Sequence, residues 1–256
     1  MSQLLITVIL FLVIFVLLGV SEFLHKKGVV SAEFVRKLVH VGVGTLIFIA
    51  YPFFKGPTPI LILSGLFVVI NAINLAVGAF RGMEDVDRES IGTVLYPLSV
   101  FFVTLFFFQE KIVFFTSLSA LFYGDAFAAI VGKKYPIKVF KTKFGAKSLG
   151  GSLIVSFLIF LLLIFWGVNF INALVIAFFG VSLEAGFFGG IDNLTLPLGL
   201  AFIIHYLPAI RDTLAISGLL AFLIAIPSIY LGFLTFDGGM VTFALGTVIF
   251  AFGGLK

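Results

Sequence analysis

No cysteine occurs among the 256 residues, which excludes a disulfide framework, a thiolate metal site and a cysteine nucleophile. Charge is almost as scarce: 11% of residues are Asp, Glu, Lys or Arg, against about 25% in an average soluble domain. So little charge excludes an ordinary soluble globule. The first apolar stretch, Leu4 to Phe23, lacks a basic leader and a small-x-small cleavage site, and is expected to be a retained anchor rather than a signal peptide. What the chain has in abundance is hydrocarbon: 61% of residues are hydrophobic and the mean hydropathy is +1.27. The expected fold class is therefore all-α, a polytopic membrane bundle.

A hydrocarbon layer about 30 Å thick needs roughly 20 apolar residues per helix. Spans are expected near 3–24, 37–54, 58–80, 91–108, 111–132, 150–167, 171–188, 194–208, 212–235 and 239–254. The eighth is short and bounded by Pro197 and Pro208, so the count is nine or ten. With the amino terminus outside, one set of loops collects Lys26, Lys27, Arg36, Lys37, Arg81, Arg88, Lys133, Lys134, Lys138, Lys141, Lys143 and Lys147. The other set holds only Lys55, Lys111, Arg211 and Lys256. Basic residues in short loops mark the cytoplasmic side, so the first set is expected to face the cytoplasm of a cell membrane. The net charge of +4 is then a report of orientation, not of nucleic-acid binding.

Most of the acids fall on that same side, in four constellations. Arg36, His40 and Gly44 recur every four residues and share a helical face, with Lys37 beside them; they suit anionic groups, or snorkelling anchors for the basic pair. The loop Arg81–Ser90 holds Glu84, Asp85 and Asp87, a candidate Mg²⁺ site or a solvated loop, and is followed by Gly92-Thr93-x-x-Tyr96-Pro97-Leu98. Asn71 and Asn74 are expected to hydrogen-bond between helices.

The third constellation runs from Tyr123 to Ser152. Asp125 heads a small-residue face with Ala128, Ala129 and Gly132, and an acid inside a span is costly enough to suggest a site. Lys147-Ser148-x-Gly150-Gly151-Ser152 offers a helix start whose N–H groups and dipole favour an anion, with a lysine as point charge. Gly145-Ala146-Lys147-Ser148 lacks the Walker A ending, so a soluble P-loop fold is excluded. The fourth constellation is Glu184 with Asp192 and Asn193, around Gly186, Gly189 and Gly190. These acids are candidates to complete a metal site with Asp125.

In this order the stretches resemble the polyprenol kinase family, the phytol, farnesol and dolichol kinases of membranes. The match covers residues 36 to about 200 and rests on Arg36-Lys37-x-x-His40, Gly92-Thr93-x-x-Tyr96-Pro97-Leu98, Gly124-Asp125-Ala126-x-Ala128-Ala129-x-x-Gly132 with Lys147-Ser148-x-Gly150-Gly151-Ser152, and Glu184 with Asp192-Asn193-x-x-x-Pro197. It departs from the family at Tyr135-Pro136, where a glycine is common, and at Gly150, where many members carry an acid.

The resemblance implies phosphoryl transfer to an isoprenoid alcohol, with CTP as donor and Mg²⁺ as cofactor. It implies catalytic roles for Asp125, Lys147 and Asp192, and metal binding by Asp125, Glu184 and Asp192. Nucleotide contacts would come from Arg36, Lys37, His40, Gly124, Gly132, Lys133, Lys147, Ser148, Gly151 and Ser152, and substrate contacts from Tyr96 and Asn193. The partners implied are the bilayer, the alcohol and the nucleotide. The central stretch is also similar to CTP-dependent phosphatidate cytidylyltransferases, which makes cytidylyl transfer to a lipid phosphate the enzymatic alternative. A transporter is the alternative of another class, disfavoured by the absence of a convincing internal repeat and by acids placed near one surface. Residues 1–210 form the kinase-like unit in this division. Residues 211–256 add two helices that resemble the start of the family that phosphorylates phytyl phosphate a second time.

Overall fold

The computed structural model describes residues 2–77, 91–142 and 145–254. The described chain folds into helices α1 (Gln3–Lys26), α2 (Ala32–Ala50), α3 (Thr58–Val77), α4 (Gly92–Phe107), α5 (Lys111–Ser119), α6 (Asp125–Lys134), α7 (Leu149–Phe165), α8 (Phe170–Gly186), α9 (Asp192–His205), α10 (Leu207–Ile210), α11 (Leu214–Tyr230) and α12 (Phe236–Gly253). A π-helical turn, Ala120–Gly124, joins α5 to α6, so that Lys111–Lys134 runs as one span. Several helices start where the sequence supplies a cap: Ser2, Ser31, Ser148, Asn169 and Thr235 each accept a hydrogen bond from the N–H three residues on, which satisfies a donor left free by the first turn.

Among the described residues, five helices are long and apolar enough to cross a membrane: Gln3–Lys26, Ala32–Phe53, Thr58–Val77, Lys111–Lys134 and Phe236–Gly253. Four more, α4, α7, α8 and α11, are apolar and a little shorter. The protein is an integral membrane protein of the all-α class. The short eighth segment of the sequence is α9, which packs largely inside the bundle: Leu196, Leu200, Ala201 and Ile203 are fully buried, while Phe202 is exposed. Burial also orders the bundle. Two-thirds of the Lys111–Lys134 window (67%) is buried, against 22% of α1 and of α3, so the helix carrying Asp125 is central and the first and third are peripheral. The exposed Leu4, Val16, Ile62 and Val69 on those outer helices are the apolar surface a lipid environment covers. From α11 and α12, Ala221, Ala225, Phe243 and Ala244 join the same core as the preceding helices.

The sequence suggests only a lysine-rich loop between α6 and α7. The structure instead contains a hairpin of β1 (Val139–Thr142) and β2 (Gly145–Ser148), antiparallel with Val139 opposite Ser148 and Phe140 opposite Lys147. Side chains alternate between faces along a strand, so Lys147 and Ser148 depart from opposite faces of the hairpin. The acidic candidates of the Arg81–Ser90 loop lie outside the described residues, as does Lys143.

Prolines in α4 and α9 tie these helices together. Pro97 has no N–H for the carbonyl four residues back, and that carbonyl, of Thr93, accepts from Asn71 Nδ2 of α3 at 2.7 Å. Pro197 leaves the Asn193 carbonyl in the same condition, and Ser99 Oγ of α4 donates to it. The Asn193 amide in turn donates to the Gly92 carbonyl at 3.1 Å.

Candidate active site

Two polar clusters flank the contact between α6 and α7. The first belongs to α2 and α6. The missing side chain of Gly44 lets α2 close on the π turn, since a Cβ there would sit 2.2 Å from the ring of Phe122. The wide turn ends at Asp125 and sets the direction in which α6 presents it; such turns often occur at functional sites. Asp125 Oδ2 lies 2.5 Å from Lys37 Nζ and 3.6 Å from His40 Nδ1. His40 stacks on Tyr96, with ring centroids 4.0 Å apart, and the Tyr96 hydroxyl donates to the His40 carbonyl at 2.8 Å. Thus Tyr96, expected at the alcohol, fixes the histidine ring.

Arg36 and His40 share a face as the spacing predicts, and both line a cavity among α1–α4. The partner of Asp125, however, is Lys37. A buried acid costs far less when paired, and Lys37 is the cation that α2 turns toward it.

The second cluster centres on Lys147. Its ammonium lies 3.0 Å from Glu184 Oε1 and 2.8 Å from Asp192 Oδ2, and it also donates to the Glu184 carbonyl. Ser152 Oγ donates to Glu184 Oε2 at 3.0 Å, and the Phe188 ring stands 5.2 Å from the ammonium. Burial works against the charge of Lys147, but the carboxylates of Asp192 and Glu184 outweigh it and hold its pKa above the ordinary lysine value.

The two clusters meet through the backbone. Ala128, one turn beyond Asp125, is where α7 closes: a Cβ on Gly151 would fall 2.6 Å from the Ala128 carbonyl oxygen. Gly150 similarly faces the Tyr135 carbonyl, and Gly132 faces Ser148 Oγ. The Gly151 N–H already donates to Ser148 Oγ, the α7 cap, at 3.2 Å. The glycines that the sequence offers to a phosphate therefore first serve helix contact, while Gly124 lies in the π turn against Val155. Lys133 is turned away from both clusters, paired with Glu33 at the start of α2.

The expected joint ligand set of Asp125, Glu184 and Asp192 is divided. Among the described residues no three His, Asp or Glu side chains converge; Asp125 belongs to the first cluster and the other two acids to the second. Glu184 and Asp192 still fit Mg²⁺, which takes one or two carboxylates together with substrate phosphates and waters, because both already converge on one cation. Asn193, expected at substrate, is spent on the α4–α9 contact. The partners of Lys147, Glu33 and Ser152 are not legible in the sequence, where the available signal is only that buried acids and bases must neutralise each other.

The chain is 31% identical over 194 residues to a phytol kinase of Synechocystis, covering 72% of this chain and 83% of the relative. It belongs to the polyprenol kinase family. Polyprenol kinase relatives from Arabidopsis thaliana match more narrowly. Phytol kinase 1, chloroplastic, is 31% identical over 44% of this chain and 41% of its own, and farnesol kinase, chloroplastic, is 23% identical over 48% and 44%. No family model matches the chain, and no solved structure matches it significantly.

Proposed function

We propose that the protein is a prenol kinase, transferring a phosphoryl group from a nucleoside triphosphate, CTP by the family resemblance, to the hydroxyl of an isoprenoid alcohol at the cytoplasmic face of the membrane. The observation that carries this reading is the pair of clusters on either side of the α6–α7 contact, one built on an acid and one on a lysine between two carboxylates. Phosphoryl transfer asks mainly for positioning and charge neutralisation, and the two clusters divide those tasks.

In this mechanism the alcohol oxygen attacks the γ-phosphorus, the bond from that phosphorus to the bridging oxygen breaks, and the nucleoside diphosphate leaves. Asp125 accepts the hydroxyl proton. Lys37 and His40 hold its carboxylate in place and stabilise the charge around it. Lys147 reaches the phosphates as a point charge, and Arg36 at the mouth of α2 steadies their oxygens. Glu184 and Asp192 would hold Mg²⁺, which supplies charge neutralisation on the phosphate oxygens when bound. Ser152 orients Glu184, and the aromatic face of Phe188 keeps the lysine near the acids.

The test is incubation of the purified protein in detergent with γ-labelled CTP or ATP, Mg²⁺ and phytol, farnesol or geranylgeraniol. Labelled prenyl monophosphate is the expected product. Formation of CDP-diacylglycerol from phosphatidate would replace the kinase reading with cytidylyl transfer, and no turnover in either assay would overturn both.

A further inference from the structure

The face of the hairpin that carries Lys147 also carries Phe140. These two residues stand directly opposite each other in the β1–β2 register, and directly opposed side chains of an antiparallel pair project to the same side. On the other face, Ser148 packs against Gly132 of α6. The Lys147 side leads away from α6, to Glu184 of α8 and Asp192 of α9. Phe140 extends that side to α12. Its ring lies flat on the ring of Phe236, with centroids 3.6 Å apart and planes within 2° of parallel.

Phe236 is the first residue of α12, and its position is set locally. Thr235 caps the helix by accepting from the Gly238 N–H at 3.3 Å, which determines where the helix starts. The same turn closes on the end of α8: a Cβ added to Gly186 would meet the Val241 side chain at 2.8 Å and the Asp237 carbonyl oxygen at 3.5 Å. Gly186 lies two residues beyond Glu184, so the turn that presents Phe236 packs against the segment that presents the carboxylate. α11 closes on the other side, since a Cβ on Gly239 would sit 2.2 Å from Ile229.

Lys147 carries its charge on a flexible four-carbon stem, and its two carboxylate partners come from different helices. Where the ammonium sits therefore depends on where the hairpin backbone sits. The ring stack ties β1 to α12, and the β1–β2 pairing passes that constraint to Lys147 directly opposite. We propose that Phe236 is a positioning residue for Lys147, holding the hairpin through Phe140, and that α12 thereby belongs to the phosphate-binding unit. The proposal rests on the kinase reading for the assignment of Lys147 to the nucleotide phosphates. Residues 211–256 lie outside the motifs that carry the family resemblance, so this contribution is one the motifs do not show.

The experiment measures binding of labelled CTP and ATP, with Mg²⁺, to the full chain in detergent by equilibrium dialysis. Phe236→Ala should weaken binding about tenfold, the worth of an aromatic stack. Phe140→Ala should do the same, and the double variant should be no weaker than either, because each alone removes the stack. Phe236→Tyr, which keeps the planar ring, should restore affinity. In a Lys147→Met background Phe236→Ala should add nothing. A further loss in that background, or unchanged affinity in a folded Phe236→Ala protein, would overturn the proposal. Trypsin cleavage after Lys138, next to β1, gives a second measurement that needs no nucleotide. It should be faster in Phe236→Leu, which keeps bulk but loses the flat face, and equal rates in this variant and the wild type would also overturn the proposal. A protein whose nucleotide binding depends on Phe236 but which phosphorylates no prenol keeps the positioning role and loses the kinase reading. A protein that phosphorylates prenols with an affinity indifferent to Phe236 does the reverse.

Discussion

Lys37 Nζ stands 2.5 Å from Asp125 Oδ2, joining side chains 88 residues apart in the sequence across the α2–α6 contact. Neither is well exposed, at 9% and 18% of the side chain, and removing one partner of such a pair costs roughly 3–5 kcal/mol because the other is left uncompensated. This pair therefore holds two roles that variants can separate. Asp125→Asn should lower kcat by about 10²–10⁴, the usual contribution of a proton acceptor. The double variant Lys37→Met with Asp125→Leu should regain most of the thermal stability lost by Lys37→Met while remaining inactive. Recovery of activity along with stability would remove Asp125 from the chemistry.

Lys147 gives a pH-dependent prediction. Its folded pKa is raised by Asp192 and Glu184 against the opposing effect of burial, so the pairing stabilises fully below the unfolded value, about 10.4, and is lost as pH rises through the higher folded value. Melting temperature followed from neutral to strongly alkaline pH should fall at the top of that range in the wild type, and this component should be missing in Lys147→Met. At neutral pH, Lys147→Met should weaken nucleotide binding. An unaltered KM for the nucleotide would restrict the lysine to a structural role.

The α6–α7 contact predicts intolerance at Gly151. A Cβ there meets the Ala128 carbonyl at 2.6 Å, and a backbone atom cannot swing aside. Gly151→Ala should cost about 1–3 kcal/mol, whereas Gly19→Ala, where nothing lies within 4 Å of the added atom, should be near neutral. Thermal unfolding in detergent compares the two directly.

Asn71 and Pro97 should show compensation. Asn71→Leu removes the donor to the Thr93 carbonyl and should cost about 1–3 kcal/mol. Adding Pro97→Ala supplies a backbone N–H to that same carbonyl, so the double variant should be more stable than Asn71→Leu. Additive losses would show that the amide does not substitute for the bond that proline removes.

Much of the fold was legible because hydrophobic thickness sets helix length whatever the helix packs against. The segments near 3–24, 91–108, 150–167 and 212–235 correspond to α1, α4, α7 and α11 within a few residues, and the doubtful segment at 194–208 is the short, buried α9. Less of the site was legible. Asp125, Glu184 and Asp192 were conspicuous as acids in apolar surroundings, but their division into two clusters was not, since separations of 88, 37 and 45 residues are bridged only by helix packing. Lys147 appeared as one lysine of six in a loop; its pairing with Glu184 depends on the β1–β2 hairpin, in which it lies opposite Phe140.

By itself the sequence determined a membrane-embedded helical bundle with few ionisable residues, because burying charge or exposing hydrocarbon costs too much for any other arrangement. It also carried the motifs that mark the family. The tertiary structure decided the partners: Lys37 rather than Arg36 for Asp125, Lys147 between Glu184 and Asp192, and glycines spent on the approach of α6 and α7. Those choices depend on helix rotation and on contacts a few ångströms wide, which local sequence does not encode.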